Sequence, residues 1–152
     1  MDAIDIKILN CLKANSRENA STIGEKVNMS VSAVIERIKK MEASGIIKQY
    51  TVILDSKSVG KTVLAFISVG IEHPKYNQNF TDFVKHHSEI LECNYITGDF
   101  DFLLKVNTGS TQQLERILND IKSVHGVSLT KTLIVLSTVK NNYSISPDDI
   151  AI

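Results

Sequence analysis

Apolar residues near the start of the chain recur at helical spacing: Ile4, Ile8, Leu9 and Leu12 line one face of a first helix. Asp2 stands where a helix cap is needed, and Asp5 falls in the first turn, where a carboxylate favours the helix dipole. The run A-N-S-R (14–17) breaks the pattern. Asn19 can cap a short second helix that turns Ile23 and Val27 inward. In N-M-S (28–30), Asn28 tolerates the left-handed backbone of a tight turn and Ser30 can cap the next helix. The spacing predicts that third helix from about Val31 to Ser44, burying Val34, Ile38 and Met41, with Gly45 ending it. Three helices, the last two joined by a short turn, describe a helix-turn-helix.

After Gly45 the period shortens. I-I-K-Q-Y-T-V-I-L (46–54) is rich in β-branched residues and predicts a strand, followed by the polar connector D-S-K-S-V-G (55–60). Another strand is expected over 62–72, then a helix carrying Phe80, Phe83, Val84 and His87. L-E-C-N-Y-I-T (91–97) and F-L-L-K-V-N (102–107) read as two strands meeting at G-D-F-D. Leu114, Ile117, Leu118 and Ile121 predict a further helix, and residues 127–140 a long closing strand. The order is βαββαβ, so the class is α+β with a split-βαβ, ferredoxin-like second part. The expected layout is a helix-turn-helix domain over 1–48, a hinge strand and linker over 49–61, a ferredoxin-like domain over 62–140, and a polar, loosely held tail over 141–152.

At 152 residues, 43% of them hydrophobic, the chain has enough apolar material for one ordinary domain or two small ones. Basic and acidic residues balance at 17 each, so no global field draws the protein to nucleic acid or membrane. Along the chain the balance tilts mildly: residues 1–50 carry eight basic and six acidic side chains, residues 51–152 nine and eleven. No apolar run approaches a membrane span, and M-D-A-I-D-I-K lacks the basic-then-apolar pattern of a leader, so a cytoplasmic protein without a membrane partner is expected. Cys11 and Cys93 sit in unrelated patterns and are expected as packed free thiols, neither with a partner at metal-ligand spacing.

With Val34, Ile38 and Met41 inward, the third helix presents Ser32, Ala33, Glu36, Arg37 and Lys40 outward. Ser32, Ala33 and Glu36 lie in its first two turns, the part of a recognition helix that meets base edges in the major groove. Ala33 suits a thymine methyl and Glu36 a cytosine amine. Arg37, Lys39 and Lys40 suit phosphates, with Ser30 and the helix N-terminus as neutral donors. A protein-interaction module with a solvated charged face has the same periodicity. The small positive surplus is weak for a lone DNA binder, so a dimer presenting two such helices to two half-sites of double-stranded DNA is expected.

Asp99 and Asp101, in I-T-G-D-F-D-F, allow a metal pair, a catalytic pair or a plain turn. A divalent cation needs further ligands, and no neighbouring Asp, Glu or His cluster supplies them. A catalytic pair must face one reaction centre, and G-S-T (109–111) lacks the lysine and spacing of a phosphate loop. Gly-Asp between alternating apolar runs is a turn signal, and the residues alone favour that reading. His86, His87 and His125 lack metal spacing, and Phe80, Phe83 and Val84 form a core stripe rather than a cofactor box. No catalytic residue, metal or cofactor is expected.

D-I-K-I-L-N-C-L-K-A-N-S-R, then V-N-M-S-V-S-A-V-I-E-R-I-K-K-M-E-A-S-G-I-I-K-Q-Y, resembles the N-terminal half of the Lrp/AsnC (leucine-responsive/asparagine-responsive) transcription regulators. L-E-C-N-Y-I-T-G-D-F-D-F-L-L-K-V is similar to their second half, and the resemblance covers about residues 2–140. It implies a winged-type helix-turn-helix, a hinge strand near Gln49–Leu54, and a ferredoxin-like amino-acid-binding domain. It also implies dimers that assemble into tetramers or octamers on nucleoid DNA. Carried onto this chain, the turn Thr97, Gly98, Asp99, Phe100 becomes part of an effector pocket. Gly98 and Asp99 would offer backbone groups, and Asp101 a carboxylate for an α-ammonium. Leu136, Ser137 and Thr138 match the stretch of the last strand that approaches a neighbour's pocket. Departures are Thr22-Ile23-Gly24 where an acidic residue and Leu-Ala are usual, Asn28 for the turn glycine and Met41 for a leucine. Gly24 costs about 1 kcal/mol of helix propensity, and DNA specificity does not carry over. The expectation is a DNA-binding transcriptional regulator whose operator binding or assembly responds to an amino acid. The alternative is a largely sequence-independent DNA-architectural protein with the same sensor, and a metal-dependent enzyme ranks behind both.

Overall fold

The computed structural model describes residues 1–149, so Ile150–Ile152 of the expected tail lie outside the described residues. The chain forms two compact units, one made of Met1–Val52 together with the chain from Lys140 onward, the other of Ile53–Val139.

The first unit holds α1 (Ala3–Ala14), α2 (Ala20–Val27) and α3 (Val31–Ala43). Each start is capped by a short polar side chain. Asp2 Oδ1 accepts from the N–H groups of Ile4 and Asp5, and Asp5 Oδ2 accepts from the N–H of Asp2, a reciprocal capping box. Asn19 accepts from the N–H of Thr22 at 2.9 Å and Ser30 from that of Ala33 at 3.3 Å. Ile8, Ile23 and Val34 are fully buried, with Val27 and Met41 close behind. Each such burial is worth about 1.5–3 kcal/mol. Asn28 adopts the left-handed conformation at φ 54°, which lets α3 turn back across α2. Gly24 makes room for that turn: a Cβ there would stand 2.7 Å from the Met29 carbonyl oxygen. The helix-propensity cost of Gly24 is thus offset by a backbone approach no other residue permits.

Residues 46–54 form no strand. The composition favours one, but no neighbouring strand of the unit offers a ladder, and Val52 and Leu54 are 78% and 64% exposed. The helix-turn-helix therefore stands without a wing strand among the described residues. The Tyr50 hydroxyl donates to Glu42 Oε1 at 2.9 Å, tying the segment to α3. Desolvation, then the Glu42 carboxylate, pushes the Tyr50 phenol up to about 12. One part of the expected loose tail, residues 147–149, is held in place. Pro147–Asp149 forms a 3-10 turn, Pro147 is buried, and Asn10 Nδ2 donates to Asp148 Oδ1 at 2.8 Å, so the segment closes onto α1.

The second unit runs β1 (Val63–Ile71), α4 (Asn77–Lys85), β2 (Ile90–Tyr95), β3 (Phe102–Thr108), α5 (Thr111–Ser123) and β4 (Val127–Ile134). The strands form one antiparallel sheet in the order β2-β3-β1-β4. Alternate residues Ala65, Ile67 and Val69 of β1 and Phe102, Leu104 and Val106 of β3 face Phe80, Val84, Leu114, Ile117 and Ile121 of the two helices. The opposite sheet face carries Leu64, Phe66 and Leu103 with the exposed Leu129 and Leu133. His87, expected on α4, falls past its end at Lys85 but still packs on Phe83 with ring centres 5.5 Å apart. The closing strand is shorter than expected. β1 begins at Val63, and after the pair Ala65–Ile134 only the Val135 N–H still reaches the Leu64 carbonyl, at 2.9 Å. With no partner beyond, β4 stops, and Leu136, Ser137 and Thr138 are irregular and exposed. Cys11 and Cys93 are free and half-buried, and burial pushes the Cys93 thiol up.

Candidate nucleic-acid interface and effector turn

The α3 surface is assembled by its cap. Ser30 fixes the first turn, and its hydroxyl also lies 3.2 Å from that of Ser32. Ser32, Glu36, Lys39 and Lys40 are exposed and Ala33 is half-buried, so the expected base-reading residues share an accessible face. Arg37 departs from the expectation. Its Nη1 donates to Asp2 Oδ2 at 2.8 Å and to Asp5 Oδ1 at 2.7 Å, and its side chain is 28% exposed. The guanidinium is committed to the α1 cap rather than held out to a phosphate. The two carboxylates, Asp2 first, raise the Arg37 pKa. The Asp5 backbone N–H, followed by the Arg37 guanidinium, lowers Asp2 from 3.8 to about 2. The D-x-x-D spacing announces the cap, but nothing in the sequence announces its third partner.

The turn expected to contact an effector links β2 to β3, closed by the Ile96 N–H donating to the Asp101 carbonyl at 2.8 Å. Thr97, Gly98 and Asp99 are exposed and Phe100 is half-buried. Gly98 has φ 121°, and a Cβ built on it meets no heavy atom within 4 Å, so the turn is open to approach. Asp101 is not open. Its N–H donates to the Val69 carbonyl at 3.0 Å, and its Oδ2 accepts from the Ile71 N–H at 2.6 Å. The β1–β3 ladder ends at the pair Val69–Phe102, and Ile71 lies just past it on the same side, so the carboxylate stands in for the next strand partner.

The two halves of the expected pocket do not meet within one chain. The turn reaches β1 at Val69 and Ile71, whereas Leu136–Thr138 leave the sheet beside Leu64. Leu64 and Ile71 are seven residue steps apart along β1, about 24 Å at an antiparallel rise. Among the described residues no group of three or more His, Cys, Asp or Glu is placed to hold a metal ion, and no helix is long and apolar enough to cross a membrane.

A trihelical unit displaying the first turns of its third helix, joined to a βαββαβ unit with an open turn, defines a DNA-binding regulator with an attached ligand domain. The AsnC-type helix-turn-helix domain matches residues 1–42 and the Lrp/AsnC ligand binding domain residues 64–145. The chain is 36% identical over 140 residues to the HTH-type transcriptional regulator FL11 of Pyrococcus horikoshii, covering 92% of each. It is 34% identical over 146 residues to the regulator LrpB of Bacillus subtilis, covering 96% of this chain and 95% of that one. A transcriptional regulator from Neisseria meningitidis, solved as an L-Met complex, superposes with a TM-score of 0.91 at 32% identity, covering 95% of this chain and 96% of its own. The protein belongs to the Lrp/AsnC family of transcriptional regulators.

Proposed function

We propose that this regulator binds operator DNA as a homo-oligomer, and that an amino acid bound at the Thr97–Asp101 turn changes its assembly and thereby its DNA affinity. The observation carrying this reading is the separation of Leu136–Thr138 from the turn along β1. A pocket lined by both needs two copies of the chain, which couples occupancy to assembly. On the sheet face away from the helices, Leu64, Phe66, Leu103, Leu129 and Leu133 lie among the polar Ser68, Lys105 and Lys131. These apolar side chains support covering by a second copy, since no helix of their own unit lies on that side. Backbone N–H groups at Gly98 and Asp99 suit an α-carboxylate, and Asp101 Oδ1, without a hydrogen-bond partner among the described residues, suits an α-ammonium. The L-Met complex of the Neisseria regulator supports an amino acid as the ligand class. No metal or cofactor enters this scheme, and the regulator works in the cytoplasm, where its DNA lies.

The mechanism is linkage. A ligand that binds the assembled form more tightly shifts the population toward it, and with it the spacing of paired α3 helices. A coupling of typical size changes operator affinity by about 5- to 150-fold. A screen of the twenty amino acids by thermal shift and sedimentation tests it. At least one is expected to raise the melting temperature of the second unit and alter the sedimentation coefficient; twenty null results defeat the proposal.

A further inference from the structure

Arg37 stands on the recognition helix yet offers no net charge to DNA. Its Nη1 bridges Asp2 and Asp5, whose side chains are 52% and 13% exposed. The other two carboxylate oxygens are also engaged, Asp2 Oδ1 by the N–H groups of Ile4 and Asp5 and Asp5 Oδ2 by that of Asp2. Two carboxylates around one guanidinium leave the cluster net negative. Drawing Arg37 away to a phosphate would leave both carboxylates unpaired beside a polyanion, a doubly unfavourable exchange. Lys39 and Lys40 are exposed and carry no ion pair among the described residues.

From this arrangement we infer that Arg37 is a positioning residue: it locks α3 to the N-terminal cap of α1 through Asp2 and Asp5, and so sets the angle at which Ser32, Ala33 and Glu36 enter the groove. Lys39 and Lys40 then supply the phosphate contacts. This role rests on the proposed DNA binding and reassigns one of its residues. It also makes α1 part of the specificity apparatus, although none of its side chains need touch a base.

The test compares affinities for a duplex selected from a random library by the wild-type chain with those for poly(dI-dC), each across a range of KCl concentrations. Arg37→Gln and the pair Asp2→Asn/Asp5→Asn are each expected to weaken the selected complex about tenfold, the scale of one lost base contact, while sparing poly(dI-dC) binding. The triple variant should be no worse than either, because all three groups form one device. Lys40→Gln should lower the salt slope by about 0.9, whereas Arg37→Gln should leave it unchanged. A slope lowered by about 0.9 in Arg37→Gln overturns the inference, as does tighter, more salt-sensitive binding once the carboxylates are neutralised. Equal losses on both DNAs also overturn it, since a positioning residue acts on the specific complex alone. Arg37→Lys keeps a cation facing both carboxylates and is expected to restore most of the specificity, which an unfolded variant could not mimic. A wild-type chain that enriches no duplex refutes the operator-binding reading itself, and one that also fails to bind poly(dI-dC) refutes DNA binding altogether.

Discussion

Asp101 ends the Thr97–Asp101 turn proposed to take the effector, yet its clearest duty is to the sheet. Its Oδ2 receives the Ile71 N–H at 2.6 Å, in a half-buried setting just past the last β1–β3 pair, Val69–Phe102. A hydrogen bond to a charged acceptor contributes about 1.5–3 kcal/mol, and a buried donor left without a partner costs about as much. Asp101→Ala removes the acceptor and should cost the second unit about 2–3 kcal/mol. Asp101→Asn keeps an oxygen in place but loses the charge, for a cost of about 1 kcal/mol. In a unit of this size 1 kcal/mol moves the midpoint by about 4–8 °C, so the alanine variant should melt roughly 10–20 °C lower and the asparagine variant roughly 5 °C lower. Differential scanning calorimetry of the full chain without ligand measures both. An alanine variant melting within about 2 °C of wild type would refute the reasoning and return the whole carboxylate to the ligand.

Gly24→Ala places a methyl 2.7 Å from the Met29 carbonyl and should destabilise the first unit by about 2–3 kcal/mol in urea unfolding; unchanged stability would mean the turn has slack. At Asn28, with φ 54°, alanine should cost about 1 kcal/mol while glycine is neutral or better, a contrast that chemical denaturation resolves. Asp2 titrates at about 2 in the folded chain against an ordinary 3.8. A depressed carboxylate stabilises above its unfolded value and loses that contribution as pH falls through the folded one. The melting temperature of the first unit should therefore drop between about pH 4 and pH 2, and Asp2→Asn should flatten that part of the profile. Leu133→Lys, on the uncovered sheet face at 53% exposure, should yield a folded chain sedimenting as a smaller species; an unaltered sedimentation coefficient would exclude that face as an interface.

Local physics was legible in the sequence wherever the cause lies within a few residues. Asp2, Asn19, Ser30, Asn28 and Gly45 act through their own turns, and all of them stand where the pattern puts them. The alternation of β1 and β3 fixes which side chains meet the helices, so the core was readable too. What was not readable depends on a partner far along the chain or missing from it. Residues 46–54 have strand composition, but a strand is a relation between two backbones, and among the described residues no second strand lies beside this one. The end of β4 is set by where β1 begins, far earlier in the chain, rather than by any breaker near Ile134. In the candidate sites, the exposed face of α3 and the open turn arise from local signals, whereas the commitments of Arg37 and Asp101 arise from tertiary neighbours.

The turn at Pro147–Asp149 gives the order of synthesis a structural meaning. Asp148 meets Asn10 across a sequence separation of 138 residues. At ribosomal speeds α1 waits on the order of ten seconds for that partner, with the entire second unit emerging in between. Until then the α1 surface that Pro147–Asp149 covers stays bare. A nascent chain stalled before Pro147 would hold all three helical segments of the unit but lack the segment that closes onto α1.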